Sequence, residues 1–271
     1  MARAVIGNAD VSDKRYLQLG QITEMIHVAS LIHDDVLDEA DVRRGGQAVH
    51  TMYTNKVAVL AGDYLLARAS VLLARLQHFQ VVEVMASALD ALVQGEIMQA
   101  RSKKEELLDM NQYLRKSYFK TASLICSSCK CTALLAGYEE KDTVTVAAEE
   151  YGYHMGMAFQ IVDDILDFSG ASATLGKPAQ ADMELGLSTA PVLFAAQEVE
   201  EIRPLIMRRF KEEGDVKKAV ELSQETDCIA KSYHLAEFHA QKAIDALDKL
   251  PESEAKGGLM RLLHTTLSRT N

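Results

Sequence analysis

The sequence predicts an all-α protein built from long helices, and three observations carry that expectation. Apolar residues recur at spacings of three and four through most of the stretch between Tyr16 and Asp248, the period of a helix with one face turned to a core. Strand-like alternation is scarce. The 271 residues include only 4 Pro and 15 Gly, and are 48% apolar and 25% charged, so few points interrupt a helix and a sizeable core is affordable. No shift of composition marks a second domain, and one domain over residues 1–271 is expected.

Taken in order, the first helix is signalled by Ile22, Ile26 and Ala29 and runs through EMIHVASLIH into the charged stretch LIHDDVLDEADVRRG. RRGGQ at 43–47 reads as a loop. Val59, Leu65, Leu66, Ala69, Leu72 and Leu73 mark a second long helix, and Met85, Leu89, Leu92 and Val93 a third. Residues 123–137 read as one continuous helix of small and apolar residues. The strand-like TVTV at 143–146 runs into AAEEYGYHMG and is better read as helical. The stretches GASATLGKPAQADMELG at 170–186 and LPESEAKGG at 250–258 read as loops. The first is long for a compact bundle, and such loops are more often lids or ligand clamps than idle connectors, which makes Lys177 a candidate contact.

Composition excludes some partners. A net charge of −10 and a pI near 5.3 argue against a nucleic-acid backbone, which needs clustered Lys and Arg over a broad face. No apolar run approaches the roughly 18 residues needed to cross a bilayer, so no transmembrane segment is expected. The N-terminus MARAVIGNADVSDKRYL carries neither a signal-peptide core nor a transit pattern. Cys126, Cys129 and Cys131 spell CSSCKC, but a zinc knuckle needs a turn that a continuous helix lacks; with Cys228 they are expected as reduced, mostly buried thiols.

One internal echo carries chemistry. DDVLD at 34–38 recurs as DDILD at 163–167, each after an apolar helical stretch. With 18 Asp in 271 positions, chance supplies roughly 0.08 DD-x-x-D matches per chain, so two are hard to attribute to composition. On a helix, Asp34 and Asp38 share a face, as do Asp163 and Asp167. Like charges so placed repel unless a cation sits between them. Carboxylate oxygens suit Mg2+, which takes one or two carboxylates per ion and fills its shell with water and phosphate. Arg43 and Arg44 follow the first motif as donors for bidentate phosphate contact. Gln160 lies one turn before Asp163 and Asp164. Lys120 and Thr121 open a small-residue helix, and fixed cations such as Lys120 and Lys177 stabilise a departing diphosphate.

With these residues in hand, the chain resembles the trans-isoprenyl diphosphate synthases from about residue 2 to the C-terminus. The resemblance rests on LIHDDVLDEADVRRG, AGDYLLARA at 61–69, QGE at 94–96, KTASL at 120–124, GMAFQIVDDILDF at 156–168 and GKPAQADMELGLSTAPVLFA. It implies the isoprenoid synthase fold, a single large bundle of mostly antiparallel helices around a deep central cavity. It also implies that Asp34, Asp35, Asp38, Asp163, Asp164 and Asp167 bind magnesium, three ions with the bound diphosphate. Arg43, Lys120, Thr121, Gln160 and Lys177 would contact the diphosphate of an allylic substrate, and His27 and Arg44 that of isopentenyl diphosphate. The implied reaction ionises the allylic diphosphate, adds the isopentenyl double bond to the carbocation and loses a proton to the released diphosphate.

Two departures stand out. The family's upstream Gly-Lys-Arg-x-x-Arg segment would lie before MARAVIG, so the domain is expected to lack the family's N-terminal helices. Leu187 in ELGLSTAP stands where many relatives have lysine. The GLSTAPVLFA wording resembles long-chain enzymes of the quinone side-chain group (solanesyl and decaprenyl diphosphate synthases), which favours a mitochondrial setting with the plastid second. A homodimer is implied, with a heteromer containing a second synthase subunit as the alternative, and a shorter-chain synthase as another.

Product length has its own signal. Residues four and five before Asp34 lie about one turn, roughly 6 Å, along the helix from the metal site. Here they are Ser30 and Ala29, both small. Short-chain family members block this level with aromatics, so a tunnel running past Ile26 and a long chain are expected.

Overall fold

The computed structural model describes residues 1–5, 7, 13–170 and 180–269. Long helices dominate it: α1 Ala2–Val5, α2 Lys14–Leu37, α3 Val49–Met52, α4 Asn55–Arg75, α5 Phe79–Arg101, α6 Met110–Ser117, α7 Ser123–Leu135 and α8 Thr143–Ser169. There follow α9 Ala181–Glu184, α10 Ala190–Glu198, α11 Ile202–Met207, α12 Asp215–Ser223, α13 Cys228–Leu247 and α14 Glu254–Leu267. Local chemistry sets several starts. The side chains of Asp13, Thr54 and Ser253 accept the backbone N–H groups of Arg15, Val57 and Lys256, which satisfies donors that a helix start leaves orphaned.

α8 is the central post: it packs against α7 on one side and α13 on another, while α2 packs on α4 and α5 on α7. Glycine makes the tightest approaches possible. A Cβ at Gly152 would lie 2.7 Å from the Cys126 Cα, and one at Gly156 2.6 Å from the Ala122 Cα, so the α7 and α8 backbones touch. One apolar cluster gathers Ile161, Ile165, Leu193, Ile202 and Leu205 around the C-terminal part of α8. A second sits beneath α1, α13 and α14. A third joins Leu19, Ile22 and Ile26 of α2 to Leu73, Met85 and Leu134.

The structure corrects three local expectations. RRGGQ is no plain loop: Val42–Arg43 (β1) pairs antiparallel with Gly46–Gln47 (β2). Arg44 and Gly45, with φ of 52° and 76°, supply the two left-handed positions of a tight hairpin turn. Residues 254–258 of the expected loop belong to α14, started by the Ser253 cap. Tyr118–Ala122, which carries the Lys-Thr pair, is a π-helical turn between α6 and α7. By length and composition alone α4 would reach across a membrane, but Asp63 and Arg68 lie within it, in keeping with the expectation of no transmembrane segment. All four cysteines are buried and free, with Cys126 and Cys131 each pushed up to about 12 by burial.

Candidate active site

The first aspartate motif sits at the end of α2. Asp34 lies in its last turn, and Asp38 caps it, donating its backbone N–H to the Asp34 carbonyl at 2.8 Å. Burial and the neighbouring Glu96 push the Asp34 carboxyl up to about 6, against the pull of Lys120. Burial raises Asp38 too. Asp35 differs: it is 4% exposed and accepts Arg43, whose Nε donates to Oδ1 at 2.8 Å with Nη2 alongside. The Arg43 guanidinium expected at a diphosphate is thus engaged by Asp35. Arg44 is exposed at the hairpin turn. His27 is half-buried on α2, and its carbonyl accepts the Ser30 hydroxyl at 2.9 Å.

Facing Asp34 and Asp38 is Lys120, on the π-helical turn. Its Nζ stands 2.7 Å from Glu96 Oε1 and 3.1 Å from Gln99 Oε1, both on α5. Gly95 makes room for it, since a Cβ there would come within 2.7 Å of the Lys120 Cγ. Lys120 is ion-paired with Glu96, and Asp34 and Asp38 lie within its field, so three carboxylates share one ammonium, an excess of negative charge that favours a bound cation.

The second motif divides in the same way. Asp164 is 3% exposed; its Oδ2 accepts the Tyr113 hydroxyl at 2.6 Å and its Oδ1 the Gln160 amide at 2.7 Å. Thr121 in turn donates to Gln160 Oε1. Burial pushes the Asp164 carboxyl up, opposed by those two donors and by Lys116. Asp167 accepts the N–H groups of Ala181 and Asp182, each at 3.1 Å, and so anchors the start of α9. Asp163 is half-exposed, with Arg269 Nη2 at 3.5 Å; that guanidinium also lies over the Phe159 ring at 4.8 Å.

The two motifs share a field. Lys116, on α6, feels Asp164 and Asp182 on one side and Lys120 and Glu96 on the other, while burial lowers its proton affinity. Asp35, Asp164 and Asp167 thus hold the protein's own donors in hydrogen bonds, whereas Asp163 faces Arg269 and the half-buried Asp34 and Asp38 lie in the field of Lys120 and Glu96. Among the described residues, no group of three or more His, Cys, Asp or Glu side chains is gathered closely enough to hold a metal ion by itself. A pair of carboxylates suits an ion that completes its shell with water and phosphate. Lys177 lies outside the described residues.

Of the length-setting candidates, Ile26 and Ala29 have no exposed surface. They share a stripe with Ile22 and His33, and the His33 ring packs directly over Gly62 of α4. That stripe faces α4. Ser30 belongs to the neighbouring stripe with Thr23, His27 and Asp34, which faces α7, where Thr23 Oγ1 meets Ser128 Oγ at 2.9 Å.

Sequence reasoning did not single out Glu96, Gln99, Tyr113, Lys116 or Arg269. Glu96 was within reach, as the acidic end of QGE beside a glycine. Tyr113 and Lys116 lie seven and four residues before Lys120, on its side of the helix, but an inserted π turn blurs that spacing.

The polyprenyl synthetase family model matches residues 1–223. The chain is 46% identical over 254 residues to a decaprenyl-diphosphate synthase of Dictyostelium discoideum, covering 94% of this chain and 55% of that protein. It is 47% identical over 240 residues to the mitochondrial solanesyl-diphosphate synthase 1 of rice, covering 89% and 55%. Decaprenyl-diphosphate synthase subunit 1 of Schizosaccharomyces pombe is 43% identical over 259 residues, with 93% and 68% covered. The chain spans little more than half the length of the first two. Among solved structures, an Arabidopsis medium/long-chain prenyl pyrophosphate synthase in its apo form superposes with a TM-score of 0.84 at 39% identity, covering 100% of this chain and 86% of that one. A Caulobacter crescentus polyprenyl synthase, complexed with calcium and isoprenyl diphosphate, gives 0.89 at 33%, covering 100% and 83%.

Proposed function

The chain belongs to the polyprenyl synthetase family, and from that premise we propose that it is a magnesium-dependent head-to-tail prenyltransferase. It condenses isopentenyl diphosphate with an allylic diphosphate into a long-chain all-trans polyprenyl diphosphate for a quinone side chain. The observation that carries this reading is the aspartate pair at the α2 terminus, Asp34 and Asp38, in the field of Lys120 and Glu96, with Thr121 hydrogen-bonded to Gln160 and Gln160 to Asp164 of the second motif. Two carboxylates at the α2 terminus and one on α8 would hold Mg2+, in keeping with the calcium and isoprenyl diphosphate of the Caulobacter protein. Magnesium, when bound, neutralises the diphosphate oxygens as the allylic carbon–oxygen bond breaks.

The chain's own residues do the rest. Lys120 leaves Glu96 and Gln99 to meet the diphosphate, adding a fixed positive charge where negative charge develops. The Gln160 amide keeps one N–H for the ligand while the other serves Asp164. Arg43, held by Asp35, lies at the first motif with its guanidinium already aligned. Arg44, on the hairpin turn, and His27 on α2 would take isopentenyl diphosphate, and Lys177 would close on the allylic diphosphate.

For product length, Ser30 is the stronger candidate. It shares a face with Asp34, whereas Ala29 and Ile26 pack toward α4, so a growing tail would run down the Ser30 side. The Dictyostelium decaprenyl-diphosphate synthase and the mitochondrial solanesyl-diphosphate synthase of rice favour a long product, and the rice protein a mitochondrial setting, with the plastid second, as for a chloroplastic/mitochondrial solanesyl diphosphate synthase of Arabidopsis thaliana. Val57, Leu60 and Tyr64 of α4 and Val93 and Ile97 of α5 are exposed apolar side chains; their burial against a second copy would make a homodimer. The Schizosaccharomyces pombe subunit favours a heteromer as the second reading. Incubation with both diphosphates and Mg2+ tests the activity: elongated diphosphates support it, and a hydrocarbon product points instead to a cyclase.

A further inference from the structure

We propose that Tyr113 is a positioning residue that orients Gln160 and Thr121 through Asp164, so that Asp164 acts as an anchor rather than as a metal ligand. The inference deepens the reading above and rests on it. Four side chains form a continuous chain of donors and acceptors. The Tyr113 hydroxyl donates to Asp164 Oδ2 at 2.6 Å, Gln160 Nε2 donates to Asp164 Oδ1 at 2.7 Å, and Thr121 Oγ1 donates to Gln160 Oε1. The backbone from 113 to 121 closes the ring. That backbone includes the π-helical turn Tyr118–Ala122, a rare geometry that persists where surroundings hold it.

The structure orients each group: the Gln160 nitrogen faces Asp164 and its oxygen faces Thr121, the polarity that an ionised Asp164, able only to accept, holds in place. The Thr121 hydroxyl proton is thereby committed, its lone pairs are turned outward, and one Gln160 N–H is left for a ligand. Tyr113, itself 4% exposed, fills the second carboxylate oxygen and stops the Asp164 side chain from turning. At 3% exposure, Asp164 offers no open approach to a hydrated ion. Asp163, one residue earlier and half-exposed, does.

The test uses the full chain and reads binding of Mg2+ with inorganic diphosphate by calorimetry, independently of turnover. Tyr113→Phe keeps the ring and removes only the hydroxyl. It is expected to weaken diphosphate binding about tenfold, the worth of a hydrogen bond to a charged group, and to raise the allylic KM or lower kcat with the isopentenyl KM unchanged. Asp164→Asn replaces one acceptor oxygen by an N–H donor, so the hydrogen bond from Tyr113 or that from Gln160 must turn or break; it is expected to cost about the same, while binding still responds to Mg2+. The double variant is expected to bind no more weakly than the worse single one, because the two act on one ring. If Tyr113→Phe proves less stable, Asp164→Asn, which is nearly isosteric, carries the comparison alone against Asp34→Asn. Wild-type binding with both variants unchanged would overturn the relay, as would an Asp164→Asn protein as unresponsive to Mg2+ as Asp34→Asn. Absence of Mg2+-diphosphate binding by the wild type would bring down the functional reading, and the relay with it.

Discussion

At the residue scale, the six aspartates of the two motifs are chemically unequal although the sequence writes them alike. Asp34 and Asp38 lie half-buried in the field of Lys120 and Glu96 and Asp163 faces Arg269, while Asp35, Asp164 and Asp167 hold Arg43, Tyr113 with Gln160, and the start of α9. Helical spacing shows which residues share a face, but not which donors a fold brings from elsewhere, so the motif was legible and its division was not. Lys120 offers a sharp test, because its place depends on an absent side chain. Gly95→Ala would set a Cβ 2.7 Å from the Lys120 Cγ and 3.2 Å from the Phe119 Cβ. Displacing that ammonium by about 1 Å should lower kcat by roughly 10-fold to 100-fold. Circular dichroism should stay native, and kcat within twofold of wild type would contradict the placement.

At the element scale, α2 shows how far periodicity reaches. Its buried stripe was readable as Ile22, Ile26 and Ala29, yet which neighbour that stripe meets depends on the tertiary arrangement. Ser30→Phe, on the face shared with Asp34, should shorten the product, read by chromatography of the dephosphorylated prenols. Ala29→Phe, forced toward α4, should chiefly destabilise, by about 1–3 kcal/mol of overpacking. Shortening by Ala29→Phe alone would reverse that assignment. The α8–α13 contact makes a different prediction. His154 Nδ1 and His239 Nδ1 are 2.9 Å apart, and burial together with His154 lowers His239 from 6.5 to about 4. The unfolded chain therefore takes up the proton first. This contribution is complete above pH 6.5 and is lost as pH falls toward 4, up to about 3 kcal/mol. Denaturant titrations of His239→Gln should show a shallower loss across that window, and an unchanged slope would refute the linkage.

At the scale of the whole molecule, the all-α bundle was legible because sparse Pro and Gly leave long amphipathic periods intact. The exceptions have local causes. The Arg44-Gly45 hairpin is too short to show alternation, and the π turn is a one-residue shift that no periodicity registers. The site arises only from the assembled bundle, since α2, α5, α6, α8 and the π turn each bring one part of it. The central claim is that these parts elongate an allylic diphosphate. The most direct measurement incubates the purified protein with Mg2+, isopentenyl diphosphate and an allylic primer, and resolves products by chain length. The account predicts long all-trans polyprenyl diphosphates, with turnover suppressed at least about 10³-fold by Asp34→Asn or Asp163→Asn while the proteins stay folded. Undiminished elongation by either variant, or a hydrocarbon in place of elongated diphosphates, would contradict it.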